Sequence, residues 1–259
     1  MLIVPISALT GGPDTFGYRF IDSSSGGPAF NWIEISGSGT PVLTAPPLSG
    51  GTDDSVAPNI PLGFNFNYYG VTNTQIAISN NGLGFPGSTG VGNYVNEPIA
   101  TSSVHGFIAP YWDDLVTYNT GSGIYYQTLG TASNRYFVVE WKNNDHYGST
   151  SPNGITFEAI LYEGSNNIEF QYLDVAFDSE NPDINNYGGS ATVGIKSSGP
   201  DGLQYSYNQA IINPNLAILF QFPSGPTARV PEFPSPFLPA VTIIGFLGAV
   251  LLIQRTREH

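Results

Sequence analysis

Between residue 17 and residue 222 runs of apolar residues alternating with period two recur, and nowhere before residue 235 is there a sustained 3.6-residue apolar period. A two-residue period places one row of side chains on each face of an extended strand, so the pattern demands sheets and excludes a helical bundle. Leu62, Phe64 and Phe66 share one face of a candidate strand. Phe137, Val139 and Trp141 share another, opposed by Tyr136, Val138 and Glu140. Ile155, Phe157, Ala159 and Leu161 are followed, after the polar turn 163–167, by Ile168, Phe170 and Tyr172, the signature of a β-hairpin. Further strands are expected near 17–22, 30–35, 75–79, 82–85, 107–112, 123–129, 191–196, 203–208 and 216–222. Clusters of Gly, Ser, Pro and Asn at 23–28, 36–41, 46–54, 86–93 and 143–154 read as the intervening loops. About a dozen strands at this spacing predict an all-β, antiparallel β-sandwich or jelly-roll-like body.

Charge narrows what such a body can do. Seven Lys and Arg stand against 20 Asp and Glu, a formal net charge of -13, and before residue 229 the basic residues are Arg19, Arg135, Lys142 and Lys196. A nucleic-acid partner needs a positive surface, so none is expected. The chain has no cysteine, which removes disulfides and thiolate metal sites. It also has no Asn-x-Ser/Thr sequon, so N-glycosylation is expected to be absent.

Both termini concern address. Residues 1–10 are apolar without a basic leader and read either as the remnant of a signal peptide or as a first strand. Residues 11–223 form the expected sandwich ectodomain, and 224–236 are too rich in Pro for helix or ladder and read as a stalk. Residues 237–254 hold no charge and predict a transmembrane helix, roughly 25 Å long at a rise of about 1.5 Å per residue. The basic tail 255–259, with Arg255 and Arg257, would stay cytoplasmic and leave the acidic body outside.

Two resemblances are carried by particular residues. Pro231, Glu232, Phe233 and Pro234, followed by an apolar helix and then Arg255 and Arg257, resemble the PEF-CTERM sorting signals of archaeal surface proteins. That resemblance implies an archaeal cell-surface protein, an archaeosortase-type processing enzyme as partner, and transfer to a membrane or lipid anchor. The body is similar to the extracellular domain of nidogen type. The residues that carry this are Gly12-Pro-Asp-Thr-Phe-Gly-Tyr18, Phe30-Asn-Trp-Ile33, Leu62-Gly-Phe-Asn-Phe-Asn-Tyr-Tyr-Gly70, Ser79-Asn-Asn-Gly82, Ile108-Ala-Pro-Tyr-Trp-Asp-Asp-Leu115 and the 157–172 hairpin. It implies an adhesion or matrix context and supplies no shared catalytic site.

Candidate chemistry is sparse. Asp113 and Asp114 are adjacent, so in a strand they point to opposite faces and make a poor facing pair for glycoside hydrolysis; capping of turn amides is the expected use. Asp53 and Asp54 read as a solvated turn. Asp178, Glu180 and Asp183 offer hard oxygen donors in one loop, a possible calcium site, without the spacing of a calcium-binding loop. His105 and His146 lack metal-ligand spacing, and no serine sits in a nucleophile elbow. Tyr69, Trp112, Tyr126 and Trp141 are candidates for a glycan-stacking platform, with Tyr147 and Tyr187 beside them, although cross-strand aromatic packing is the commoner use of such rings.

The expectation is therefore a non-catalytic cell-surface protein acting in adhesion, envelope or matrix structure, or protein contact, with no cofactor. Two alternatives stand beside it. One is a surface carbohydrate-binding module; the other is a self-assembling sheath or filament subunit whose segment 2–9 complements a neighbour's sheet edge.

Overall fold

The computed structural model describes residues 8–24, 26–44, 53–87, 89–118, 121–148, 154–177 and 184–223. The sorting motif Pro231 to Pro234, the span 237–254, Arg255, Arg257, residues 1–7 and the loop carrying Asp178, Glu180 and Asp183 lie outside the described residues. Among the described residues no helix is long and apolar enough to cross a membrane.

The body is all-β and antiparallel. Its strands are β1 (Thr10–Gly11), β2 (Arg19–Asp22), β3 (Thr40–Thr44), β4 (Val56–Tyr68) and β5 (Val71–Ser79). They continue with β6 (Leu83–Pro86), β7 (Phe107–Trp112), β8 (Leu115–Val116), β9 (Gly123–Leu129) and β10 (Tyr136–His146). The last are β11 (Ile155–Tyr162), β12 (Ile168–Asp174), β13 (Thr192–Lys196), β14 (Gly202–Tyr207) and β15 (Leu216–Gln221). A nine-stranded sheet runs β1-β2-β15-β12-β11-β10-β9-β3, with β8 also pairing β10; a six-stranded sheet runs β14-β13-β7-β6-β5-β4.

The alternation dictates how the sheets meet. In β4, Ile60, Leu62, Phe64, Phe66 and Tyr68 are buried while the residues between them face out. Val139, Ala159, Phe170 and Ile218 stand in one cross-strand row of the larger sheet and point into the same core. Each Val, Leu, Ile or Phe side chain buried in this way contributes about 1.5–3 kcal/mol through removal of apolar surface from water. The hairpin expected at 155–172 forms as β11 and β12, with Tyr162 N–H donating to Asn167 O across its turn. The exposed backbone of β4 is capped by the larger sheet: Thr128 Oγ1 donates to Leu62 O at 2.9 Å, and Asn166 Oδ1 accepts the Asn67 N–H at 2.8 Å. Such caps blunt an edge that another chain could otherwise extend.

Two details depart from the expectation. Residues 30–35 are not a strand. The β2–β3 connection must cross the larger sheet, and it does so as an extended strap over the outer face, its alternate N–H groups bonded to side chains instead of a backbone ladder. The strap covers Val138 and Ile160 with Ile33 and Ile35. Conversely, β3 forms where no strand is expected, its first two residues overlapping the loop read at 36–41, and it pairs β9 as an edge strand where Pro41 is tolerated.

The smaller sheet is roofed as well. Residues of the β6–β7 connection, centred on Ile99, close a second apolar cluster with Ala77, Leu83, Phe85, Phe107, Ala109 and Trp112. Between Ala109 and Trp112 the β7–β13 register shifts, so Tyr111 turns into the main core while Trp112 turns outward beneath this roof.

Candidate functional site

Two short motifs clasp each other at one end of the sandwich. Ser79-Asn-Asn-Gly82 makes the β5–β6 turn, and Trp112-Asp-Asp-Leu115 leads out of β7. Asn81 Oδ1 accepts the Leu115 N–H at 2.9 Å, and Asn80 Nδ2 donates to Leu115 O at 2.8 Å. Both carboxamides thus hold the backbone of one residue, and both are fully buried. Their remaining atoms reach the next segment: Asn80 Oδ1 accepts the Ser55 N–H at 2.8 Å, and Asn81 Nδ2 donates to Asp54 Oδ1 at 2.9 Å. Gly82 sits at φ +68°, and a Cβ there would stand 1.8 Å from the Tyr111 carbonyl oxygen. Only glycine permits so close an approach.

The clasp carries Asp53 and Asp54 up against Asp114. Each of the three offers a carboxylate oxygen, and all these atoms lie within 4.8 Å of one another. With Tyr94 and Tyr147 they line a cleft of about 240 Å³. The Tyr118 hydroxyl donates to Asp53 Oδ2 at 3.3 Å, and Tyr94, Tyr118 and Tyr147 are all exposed. Tyr94 is presented by a loop that packs Gly92 on the Asp54 carbonyl and is anchored where the Trp112 indole donates to Asn93 O at 2.7 Å. Tyr147 is fixed by its N–H donating to Asp114 O at 2.8 Å.

The electrostatics follow from crowding of like charges. Burial, the largest influence, and the neighbouring Asp53, Asp54 and Asp113 push Asp114 up to about 6 against the pull of His146. Burial works against a proton on His146, but Asp113 and the Tyr147 carbonyl outweigh it and raise its pKa. The geometry agrees: Nε2 lies 3.5 Å from Asp113 Oδ1 and Nδ1 lies 2.9 Å from Tyr147 O, so both ring nitrogens face acceptors and only the protonated ring serves both. Asp113 and Asp114 do face opposite ways, one to His146 and the other to the cleft. The body's cations are engaged elsewhere: Arg135 with Glu163, Lys142 with Glu34, and buried Lys196 with Ile99 O, while Arg19 lies in β2. Among the described residues, Asp53, Asp54 and Asp114 are the set grouped closely enough to ligate one hard cation.

The glycan-stacking candidates fare differently. Trp112 and Trp141 are fully buried and present no ring face to a sugar. The cause is their indole N–H, which finds a backbone acceptor inside: Asn93 O for Trp112 and, at 2.9 Å, Ser79 O for Trp141. Trp141 also stacks on Phe157 with ring centroids 5.1 Å apart. Tyr69 is half-buried at the opposite end among Phe16, Tyr18 and Tyr68, its hydroxyl donating to Asp14 Oδ2 at 2.7 Å. Tyr126 stacks on Phe137 at 5.7 Å. The four do not make a common platform. Exposed rings stand instead at Tyr94, Tyr118, Tyr147 and Tyr187, of which Tyr147 and Tyr187 are the two that the sequence offers as candidates. No local spacing announces the Asp53, Asp54 and Asp114 grouping, because it depends on the asparagine clasp.

A family model described as NIDO related matches residues 19–223, which contain both halves of the clasp. The chain belongs to the NIDO-related family. No curated protein and no solved structure matches it. A NIDO-related domain suggests an extracellular protein-interaction module, which accords with the nidogen-type resemblance. In this NIDO-related domain the motifs behind that resemblance, around Asn80 and Asp113, are spent on holding the loops of one end in place.

Proposed function

We propose that this is a non-catalytic archaeal surface protein, exported and held at the envelope through its PEF-type tail, and that the tyrosine-rimmed carboxylate cleft is the contact end of its sandwich. The observation that supports the contact end is the convergence of Asp53, Asp54 and Asp114 with exposed Tyr94, Tyr118 and Tyr147 on loops that buried residues pin down. Carboxylates accept hydrogen bonds and attract cationic side chains, and tyrosine rings supply rigid amphipathic contact area at little entropic cost. His146, the nearest candidate base, has both ring nitrogens turned to Asp113 and Tyr147, which favours recognition over catalysis. The leading partner is another envelope protein, reached after an archaeosortase-type enzyme has processed the tail at Pro231 to Pro234 and moved the protein to its lipid anchor.

The carbohydrate-binding alternative draws on the same tyrosines, since carboxylates beside aromatic rings also suit sugar hydroxyls. One experiment separates the readings. A photo-crosslinking residue is placed at Tyr147 and, as control, at Val71, which is exposed at the start of β5 and so at the other end of the sandwich. Crosslinks on intact cells concentrated at 147, and to protein, support the proposal. Equal labelling from both positions rejects the contact end, and adducts to glycan alone move the reading to the alternative. Mass spectrometry of the protein from native envelopes tests the address. A C-terminus within 230–236 carrying an added anchor is expected, and an intact 237–259 segment would overturn it.

A further inference from the structure

The strap over the larger sheet is fastened in an unusual way. Glu140, Glu158 and Gln171 form one cross-strand row on the outer faces of β10, β11 and β12. Over this row pass three alternate residues of the strap. Asn31 N–H donates to Gln171 Oε1 at 2.6 Å, Ile33 N–H to Glu158 Oε1 at 3.3 Å and Ile35 N–H to Glu140 Oε2 at 3.0 Å, while Gln171 Nε2 returns a bond to Asn31 O at 3.1 Å. Glu140 and Glu158 are wholly buried, and the second oxygen of each, Glu140 Oε1 and Glu158 Oε2, has no hydrogen-bond partner. Two adjacent buried carboxyls, each with one oxygen that no hydrogen bond reaches, are poorly placed to carry charge. Neutral, each still accepts the strap's N–H; ionised, each is a buried charge with half its hydrogen bonds missing.

We propose that residues 30–36 act as a pH-governed strap, seated on the sheet while Glu140 and Glu158 hold protons and released as these carboxyls ionise. Release would uncover Val138 and Ile160. The titratable surroundings favour retention of the protons. From the strap Glu34 adds negative charge; Glu169 of β12 adds more, itself accepting the Tyr162 hydroxyl of β11 at 2.7 Å. Lys142 of β10 opposes them, but it is already paired with Glu34 at 3.2 Å. Tyr125 of β9 and Tyr136 of β10 pack at the margin of the covered strip.

Burial first, and then these neighbours, push Glu140 up to about 7 and Glu158 up to about 9. Both values lie above that of an unfolded glutamate, so the docking contribution is complete below the unfolded value near 4.5. It is lost as pH rises through about 7 and then about 9. The strap is therefore tight in acid and loose in alkali, the reverse of a strap held by salt bridges.

Amide hydrogen exchange on the full chain, corrected for the intrinsic pH dependence of exchange, tests this. Between pH 5 and pH 9.5 the protection of Asn31, Ile33 and Ile35 is expected to fall at least tenfold relative to the core amide of Ala159. In the Glu140→Gln/Glu158→Gln variant, whose amides still accept the same N–H groups, protection should stay level across the range. Level protection in the wild-type chain, or the same fall in the double variant, overturns the proposal. Carboxyl carbon shifts of Glu140 and Glu158 in the wild-type chain give a readout that does not depend on the variant folding. Midpoints near 4.5 for both would be equally fatal.

Discussion

Each sheet is covered on its outer side by the chain that links two of its strands, and the two roofs are fastened by different chemistry. Over the six-stranded sheet, Ile99 plugs an apolar cluster, and its N–H is accepted by Gln204 Oε1 at 3.0 Å. The same roof is held by the Trp112 indole on Asn93 O and by Asn96 Nδ2 on Asn208 Oδ1 at 2.8 Å. Over the nine-stranded sheet the strap rests on less apolar surface and is tied by carboxyls with unsatisfied oxygens. The first arrangement meets its polar groups with neutral carboxamides and an indole, together with the buried Lys196 Nζ donating to Ile99 O at 2.6 Å, and none of these fastenings is a buried carboxyl. The second leaves them conditional on protonation. Neutral carboxamides and indoles make a permanent fastening, and buried carboxyls a conditional one.

The largest expected effect comes from removing the permanent roof's anchor. Trp112→Ala deletes a fully buried indole together with its bond to Asn93, and should cost about 3–5 kcal/mol in a denaturant titration. The loss should be similar at pH 5 and pH 8. A large difference between those two values would break the distinction between the roofs.

A matched pair sharpens it. Ile99 and Ile35 are buried alike, 2% and 1% exposed, one under each roof. Ile99→Ala should lower the global transition by about 2–4 kcal/mol, because its cavity opens in a cluster continuous with the sheet. Ile35→Ala should cost less globally. A segment that opens on its own can lose no more stability than its own docking contributes. Its signature would be reduced exchange protection confined to the strap. Equal global losses would mean that the strap is as integral to the fold as the other roof.

The pH response carries the next largest effect. A carboxyl that binds its proton more tightly when folded lowers stability by up to about 1.4 kcal/mol per pH unit while the two states differ in protonation. Glu158 does so from about 4.5 to about 9 and Glu140 from about 4.5 to about 7. The wild-type melting temperature should thus fall on going from pH 5.5 to pH 8, and Glu158→Gln should flatten the fall. A variant indistinguishable from wild type at both values would show that Glu158 is not the titrating group.

The comparison also explains what the sequence made legible. The inward rows at Leu62, Phe64 and Phe66, at Phe137, Val139 and Trp141, and at Phe157 to Tyr172 could be read because one face of each strand is wholly apolar. The strap misled for a physical reason: an extended segment bonded to side chains at alternate residues has the same two-residue period as a strand bonded to a backbone. Glu140 reads only as a member of an outward face, and Glu158 has no signal of its own, because an outward carboxyl in a strand is ordinary until something covers it. Trp112 and Trp141 stay candidates for a platform at the level of sequence, beside the commoner reading of cross-strand packing, because composition cannot say where an indole N–H will find its acceptor. The cleft depends on Asn80 and Asn81 tying Ser55 and Asp54 to Leu115, a convergence of three segments that no local spacing encodes.

The smallest effect is the most discriminating. Lys142 and Glu34 form an exposed pair at the strap's margin, so Lys142→Met should change stability by no more than about 0.5 kcal/mol. Yet Lys142 favours ionisation of Glu140, against burial and Glu34. Removing its charge should move the Glu140 midpoint upward, so that the carboxyl keeps its proton and its hold on Ile35 to a higher pH. A midpoint that moved downward would mean that Lys142 acts through its bond to Ser36 Oγ, a loss of packing at the strap, and not through charge. In that case the strap would answer to its contacts more than to its protons.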